Sequence, residues 1–176
     1  DELRSSYVTI EGRLVEWVGL FLPEARFERD RMGLAKKVIE SSSLTELADI
    51  LQVGMPPEGP TDAEWNSLHD WAESVWEIKN RLNSMENVVR ELASNHLPSL
   101  SLLLGPILAA RLCTEAHGRA RLARLPAGTM QILGAEKAFF SHLKTGAPSP
   151  KHGHIFMHPW ISRSPRWTRG KIARMV

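Results

Sequence analysis

Pro126-Ala127-Gly128-Thr129-Met130-Gln131-Ile132-Leu133-Gly134-Ala135-Glu136-Lys137-Ala138-Phe139-Phe140-Ser141-His142-Leu143-Lys144 is the segment on which the reading of this chain turns. It begins with turn formers and passes through a short apolar run from Met130 to Leu133. It reopens at Gly134 with Phe139, Phe140 and Leu143 on one side and Lys137, Ser141 and Lys144 on the other. That spacing predicts a short amphipathic helix. A helix starting near Gly134 directs free backbone N–H groups and the positive end of its dipole outward, which suits phosphate. Spacing alone favours a plainer alternative, a buried helix with a few solvated lysines.

Upstream of this segment, Pro98 to Leu112 is nearly continuously apolar with a Gly105-Pro106 break, and is expected to be buried on most sides. Gly118 to Pro126 is a short basic connection. Downstream the chain turns irregular through Gly146, Pro148, Ser149 and Pro150, and it ends in a basic run from Ser164 to Val176.

The first half reads as long helices. Leu3, Tyr7, Ile10, Leu14, Trp17 and Phe21 recur at alternating intervals of four and three, a heptad seam ended or kinked by Pro23. Residues 24–40 are expected to continue as helix, with Leu34, Ala35, Val38 and Ile39 as the apolar side. Ser43-Leu44-Thr45-Glu46 and Thr61-Asp62-Ala63-Glu64 have the spacing of capping boxes. The helix after the second box is expected to run to about Asn95, roughly 50 Å at 1.5 Å per residue. Its main seam is Trp65, Leu68, Ala72, Val75, Leu82, Val89 and Leu92. Such a helix is too long for a compact domain of this size, so residues 1–95 read as an antiparallel helical hairpin. A second stripe, Trp71, Ile78 and Met85, cannot all be covered within one hairpin. A closed bundle within one chain is the alternative to pairing with a second copy.

The net charge of +2 over 176 residues hides a division. Residues 1–97 carry 10 basic and 18 acidic side chains, net −8, whereas residues 98–176 carry 12 basic side chains and only Glu115 and Glu136 as acids, net +10. An acidic half joined to a basic half implies divided labour, and the basic half is a nucleic-acid candidate by charge. Cys113 is the only cysteine, which excludes internal disulfides and cysteine-based zinc sites; an inert thiol in an apolar stretch is expected there. No apolar run approaches a membrane span and the polar start shows no signal peptide, so an intracellular compartment fits.

Catalysis finds no constellation. Glu136 has no partner carboxylate, and no Gly-rich loop matches a nucleotide signature. His152, His154 and His158 form the one metal-like cluster, but their spacing matches no common zinc pattern and no acid or cysteine lies nearby. No enzyme, metal or cofactor is expected. Binding has a physical case: Lys137, Lys144, Lys151, Arg169, Lys171 and Arg174 can neutralise phosphates, and His142, His152 and His154 can stack on unpaired bases. Surface solvation is the alternative for each lysine or arginine taken singly.

Leu125-Pro126-Ala127, followed by Gln131-Ile132-Leu133-Gly134-Ala135-Glu136-Lys137-Ala138-Phe139-Phe140, resembles the signature of the Nop domain. That domain is the RNA–protein binding module of the archaeal box C/D guide-RNA scaffold, its nucleolar relatives and a spliceosomal pre-mRNA-processing relative. The resemblance extends to Gly12 through Glu24, similar to the start of the family's coiled-coil region, although relatives carry a histidine near Phe21-Leu22. Pro98 to Leu112 resembles the family's corresponding apolar run. Lys151-His152-Gly153-His154-Ile155-Phe156 resembles its Pro-Lys-aromatic-Gly-x-Ile-aromatic run; relatives follow with a histidine, where this chain has Met157 and places His158 one residue later.

The resemblance implies an all-α fold: a long antiparallel coiled-coil hairpin, residues 1–97, followed by a compact helical Nop domain, residues 98–176, C-terminally incomplete. It implies a non-catalytic scaffold gripping a kink-turn in a box C/D guide RNA together with the small ribosomal-type kink-turn-binding protein already on it. RNA contacts are expected from Glu136, Lys137, His142, Lys144, Lys151, His152, Arg169, Lys171 and Arg174. The protein partner is expected around Arg124, Gln131 and Ala135. Pairing with a second copy or a paralogue is expected through Trp71, Ile78 and Met85. Family scaffolds recruit a fibrillarin-type methyltransferase through a domain ahead of the hairpin that this chain lacks, so the chain is expected to be a fragment serving guided 2′-O-methylation, in the cytoplasm of archaea or the nucleolus or nucleus of eukaryotes. A splicing-type scaffold, or a protein–protein adaptor whose basic half docks on an acidic partner, is the alternative.

Overall fold

The computed structural model describes residues 2–176, all in helices, turns and loops, with no strand among the described residues. The expected all-α class is the one observed. The chain divides into two compact units, Asp1–Met85 and Glu86–Val176, with one long helix running through the boundary.

In the first unit, α1 (Glu2–Phe21) is followed by a 3₁₀ turn (Pro23–Phe27), α2 (Arg31–Glu40), α3 (Leu44–Leu51) and the start of α4 (Asp62–His96). The Trp71 indole Nε1–H donates to the Ile10 carbonyl at 3.0 Å, and Lys79 Nζ lies 4.8 Å from the centre of the Tyr7 ring. Contacts therefore advance along α4 as they retreat along α1, so the two helices are antiparallel. The core takes Leu14, Val18 and Leu22 from the first helix and its exit, Leu34, Ala35 and Val38 from α2, Leu47 and Ala48 from α3, and Leu68, Ala72 and Val75 from α4. The α1 seam is wider than the heptad reading: Val15, Val18 and Gly19 are buried, because α1 packs on α2 and the 3₁₀ turn as well as on α4.

The predicted continuous helix over residues 24–40 is corrected to two pieces. The first ends at Phe27, where Glu28 turns extended, and Asp30 caps the second: its Oδ1 accepts the Gly33 N–H at 2.9 Å, which satisfies one of the free donors at the start of α2. The Thr61 box forms as predicted: the Thr61 N–H donates to Glu64 Oε2 at 2.8 Å, and the Glu64 N–H donates to Thr61 Oγ1 at 3.3 Å. At Ser43 half of the box forms as predicted, the Glu46 N–H donating to Ser43 Oγ at 3.4 Å, while Glu46 Oε2 reaches one residue further back and accepts from the N–H and hydroxyl of Ser42 at 2.7 Å each.

In the second unit, the last turns of α4 lead into α5 (Pro98–Leu104), α6 (Pro106–Glu115), α7 (Arg119–Leu122), α8 (Ala127–Ile132) and α9 (Glu136–Thr145). A 3₁₀ turn (His154–Met157), α10 (Pro159–Ser162) and α11 (Arg169–Met175) follow. Leu108, Leu112, Ala116, Leu122 and Leu133 form one core cluster, and Ile155, Ile161 and Ala173 form another. The last turns of α4 bury Ala93 and Leu97, whereas Val88, Val89 and Leu92 are 52%, 40% and 62% exposed. The seam therefore does not continue through Val89 and Leu92. The run from Pro98 to Leu112 is also less buried than its composition suggests: Gly105 breaks it into two helices, and Leu102 and Leu103 face solvent.

Candidate nucleic-acid interface

The signature segment forms two short helices joined by a kink at Gly134, where φ is +85°, a conformation that costs a glycine little. The kink exists because another part of the chain lies against it. The His154 N–H donates to the Leu133 carbonyl and the Gly153 N–H to the Gln131 carbonyl, each at 2.8 Å. A Cβ on Gly153 would sit 2.0 Å from the Leu133 carbonyl oxygen, so only glycine permits this approach. His154 packs its imidazole against Gly134, with Nε2 3.8 Å from Glu115 Oε2.

The helix start predicted near Gly134 lies two residues later, at Glu136, and the Gly134 N–H just ahead of it is already used. The Glu136 carboxylate accepts the Gly134 N–H at 2.7 Å. A negative side chain therefore occupies the place where phosphate was expected, with the favourable helix dipole holding it there. The apolar side of α9 is not buried: Phe140 and Leu143 are 57% and 62% exposed, and Phe139 is half-buried in an edge-on contact with Phe140. Lys137 and Lys144 are exposed on the same helix. His142 is half-buried with Nδ1 against the Ala147 carbonyl, which holds the end of α9 to the following loop.

Around Lys151 the basic residues divide by role. Lys151, Lys171 and Arg174 are exposed. The Arg169 guanidinium is committed internally: Nε–H donates to the Ser164 carbonyl at 2.9 Å, a second N–H to the Ser162 carbonyl at 3.2 Å, and the group lies 5.2 Å from the centre of the Phe156 ring. His152 stacks on that same ring, centroids 4.6 Å apart and planes 19° apart. Burial, with lesser repulsion from Arg169 and Lys151, pushes the His152 pKa below the ordinary imidazole value. A neutral ring presents a flat face suited to a base rather than a charge suited to phosphate.

The residues expected to meet a protein partner separate as well. Arg124 is exposed and Ala135 half-buried, but the Gln131 side chain is turned inward, donating to the Lys151 carbonyl at 2.6 Å. The three clustered imidazoles go to three neighbours: His152 to Phe156, His154 to Gly134, and the buried His158 edge-on to Trp160, with its Nδ1 unpartnered. Donor atoms of His69, Asp70 and Glu73 on α4 lie within 4.8 Å of one another, a grouping that sequence spacing did not single out. One His69 nitrogen already faces the Ile39 carbonyl at 3.0 Å. Sequence reasoning also passed over Trp160 and Trp167, whose indoles are 71% and 80% exposed in the basic C-terminal segment beside Arg163 and Arg166. Their signal was the lack of any acid after Glu136.

In the first unit, Trp71 and Ile78 are half-buried against the core of the chain itself, whereas Met85 is 54% exposed.

The family described as Nop, snoRNA binding domain, fibrillarin, matches residues 20–176. An uncharacterised NOP5 family protein of Methanocaldococcus jannaschii is 33% identical over 182 residues, covering 93% of this chain and 44% of that protein. Nucleolar protein 58 of Sclerotinia sclerotiorum is 31% identical, and nucleolar protein 56 of Mus musculus 30%; each alignment covers 100% of this chain and 34% of the relative. The chain thus spans less than half the length of these relatives. Among solved structures, the crystal structure of a fibrillarin/Nop5p complex is similar at 24% identity and a TM-score of 0.49, covering 98% of this chain and 60% of that one. With the family match running from the end of α1 to the last residue, the chain belongs to the Nop family.

Proposed function

We propose that this chain is a non-catalytic scaffold of a box C/D ribonucleoprotein. Its basic unit recognises a kink-turn RNA together with the small protein that binds such turns. The observation that carries the reading is the joining of the family signature to the Lys151–His154 loop, which brings the basic residues of two distant segments onto one support. Lys137, Lys144, Lys151, Lys171 and Arg174 supply phosphate contacts, the neutral His152 face supplies stacking, and Glu136 shapes the helix start rather than meeting phosphate. Arg169 acts beneath the surface, through Phe156 and the Ser162–Ser164 backbone. The protein partner meets Arg124, Ala135 and the exposed apolar face of α9, Phe140 and Leu143. Reading RNA and protein together makes affinity for either alone weak, a coupling of binding free energies.

Residues 1–97 serve pairing and 98–176 recognition. Pairing with a second copy or a paralogue uses Met85 and the exposed Val88, Val89 and Leu92, which recur along α4 at helical spacing. The exposed fraction of these side chains supports this choice over Trp71 and Ile78. The scaffold holds fibrillarin-type methyltransferase modules for guided 2′-O-methylation, the reaction being the partner's.

Titration with kink-turn RNA, bare and preloaded with its small protein, tests the reading. Tight, salt-dependent binding only to the preloaded RNA is expected, and removing one lysine that neutralises a phosphate flattens the log–log salt slope by about 0.7–0.9. A Lys137→Ala, Lys151→Ala, Lys171→Ala variant with an unchanged slope excludes this surface. Binding to the small protein without RNA, indifferent to those substitutions, supports the adaptor instead.

A further inference from the structure

Gln131 lies in the middle of the signature, on α8, yet its side-chain amide bonds to the backbone of its own unit. Nε2 is 2.6 Å from the Lys151 carbonyl oxygen and 3.5 Å from that of Gly170. Two carbonyls can be met together only by the amide nitrogen, which carries two N–H donors, so the orientation of the carboxamide follows from its neighbours. The main-chain carbonyl of the same residue accepts the Gly153 N–H at 2.8 Å. One residue thus holds the chain at 151, 153 and 170, and the first two of these lie in a loop that no strand or long helix organises. The Lys151 side chain runs over Gly170: a Cβ there would meet Lys151 Cδ at 3.5 Å, ordinary contact.

The carbonyls that Gln131 holds belong to, or adjoin, the residues that carry the positive charge. Lys151 owns one of them. Gly170 owns the other and sits between Arg169 and Lys171. Moving either backbone moves a cation relative to the other. Because the Arg169 side chain is tied to the Ser162 and Ser164 carbonyls, the exposed cations beside the two carbonyls that Gln131 holds are Lys151 and Lys171.

We infer that Gln131 is a positioning residue of the RNA surface: its side-chain amide fixes the Lys151 and Gly170 backbones in register, so that Lys151 and Lys171 engage neighbouring phosphates together. This rests on the RNA-binding reading above, and it replaces the expectation that Gln131 touches a protein partner. An isosteric residue without donors leaves both lysines in place and loses their alignment.

The test uses the full chain and kink-turn RNA preloaded with its small protein. Gln131→Met keeps the length and volume of the side chain and removes both donors. It is expected to weaken binding about tenfold and to flatten the salt slope by the equivalent of one phosphate, about 0.7–0.9. In a Lys151→Ala, Lys171→Ala background the same substitution is expected to change affinity less than about twofold, because coupled residues are non-additive. Residue-level hydrogen exchange supplies a second readout: faster exchange at Gly153, His154 and Lys171, with α6 unchanged, is expected. A Gln131→Met chain with wild-type affinity and slope overturns the inference. An equal loss in both backgrounds overturns it in favour of direct contact, and faster exchange throughout α6 overturns it in favour of a purely structural role. If the unaltered chain fails to bind the preloaded RNA, the RNA reading falls and takes this inference with it.

Discussion

The imidazole of His154 occupies the space that a side chain on Gly134 would need: a Cβ built there comes within 2.2 Å of Nε2. The same glycine has φ +85°, so an alanine is penalised twice, by the backbone and by the ring. Gly134→Ala is expected to destabilise the chain by about 2–4 kcal/mol, the sum of a left-handed backbone cost and an overpacking cost. His154→Ala in the same chain should recover the overpacking part only. Urea denaturation of both variants separates the two, and a Gly134→Ala chain of wild-type stability would exclude both penalties.

Much of the helical framework was legible because it is written locally. The Thr61 box, the length of α4 and the Gly105-Pro106 break each depend on residues a few positions apart. What was not legible is non-local. The Asp30 cap looked like one more charged residue in an amphipathic run. Whether Phe140 and Leu143 were buried depended on what the rest of the unit places beside α9, which periodicity does not encode. Gln131 is the clearest case at the candidate site: its partners lie 20 and 39 positions along the chain, so spacing could not show that its amide turns inward. The Arg169 guanidinium likewise reads as a free cation until Ser162, Ser164 and Phe156 are seen around it.

Thr61 and Glu64 satisfy each other's backbone donors at the start of α4, with the Thr61 hydroxyl also donating to Glu64 Oε2 at 2.8 Å. Those bonds hold the Glu64 carboxyl below its ordinary pKa. Thr61→Ala removes the side-chain cap and is expected to cost about 1 kcal/mol. Thr61→Ser keeps the oxygen and should lose only a fraction of that. Thermal unfolding followed by circular dichroism decides it, and equal effects of the two substitutions would exclude capping as the cause.

His152 supplies a pH dependence of definite sign. Burial first, and repulsion from Arg169 and Lys151 second, place its folded pKa below the ordinary imidazole value of 6.5. As pH falls through 6.5 the unfolded imidazole takes up a proton before the folded one does, so protonation favours the unfolded state. The contribution of His152 is therefore present above that pH and lost between it and the lower folded pKa. His152→Phe keeps a ring to stack on Phe156 and cannot titrate. Its stability is expected to fall less than that of the parent chain between about pH 7 and pH 5, measured by urea denaturation at each pH. Parallel curves would exclude His152 as the source of the dependence.

Where the recognition unit can be cut is set by the last turns of α4. Ala93 and Leu97 are buried at 5% and 7% exposure, the Ser101 hydroxyl donates to the Ala93 carbonyl at 3.0 Å, and an Arg119 N–H donates to the His96 carbonyl at 3.2 Å. A fragment of residues 98–176 lacks all of these partners, although it keeps every basic residue proposed to meet RNA. A fragment of residues 86–176 keeps both sets. Loss of the Leu97 side chain alone removes about 1.5–3 kcal/mol of apolar burial. Each orphaned hydroxyl or guanidinium N–H costs less, because water can replace a partner at the surface. The shorter fragment is therefore expected to be about 2–4 kcal/mol less stable, with a urea midpoint well below that of the longer one. If recognition is confined to the basic unit, the longer fragment binds a single preloaded kink-turn as tightly as the full chain, and binds a guide RNA carrying two sites less tightly because one linked engagement is missing. Equal midpoints for the two fragments would move the boundary to Pro98. A folded 86–176 fragment that fails on the one-site RNA would assign part of recognition to residues ahead of it.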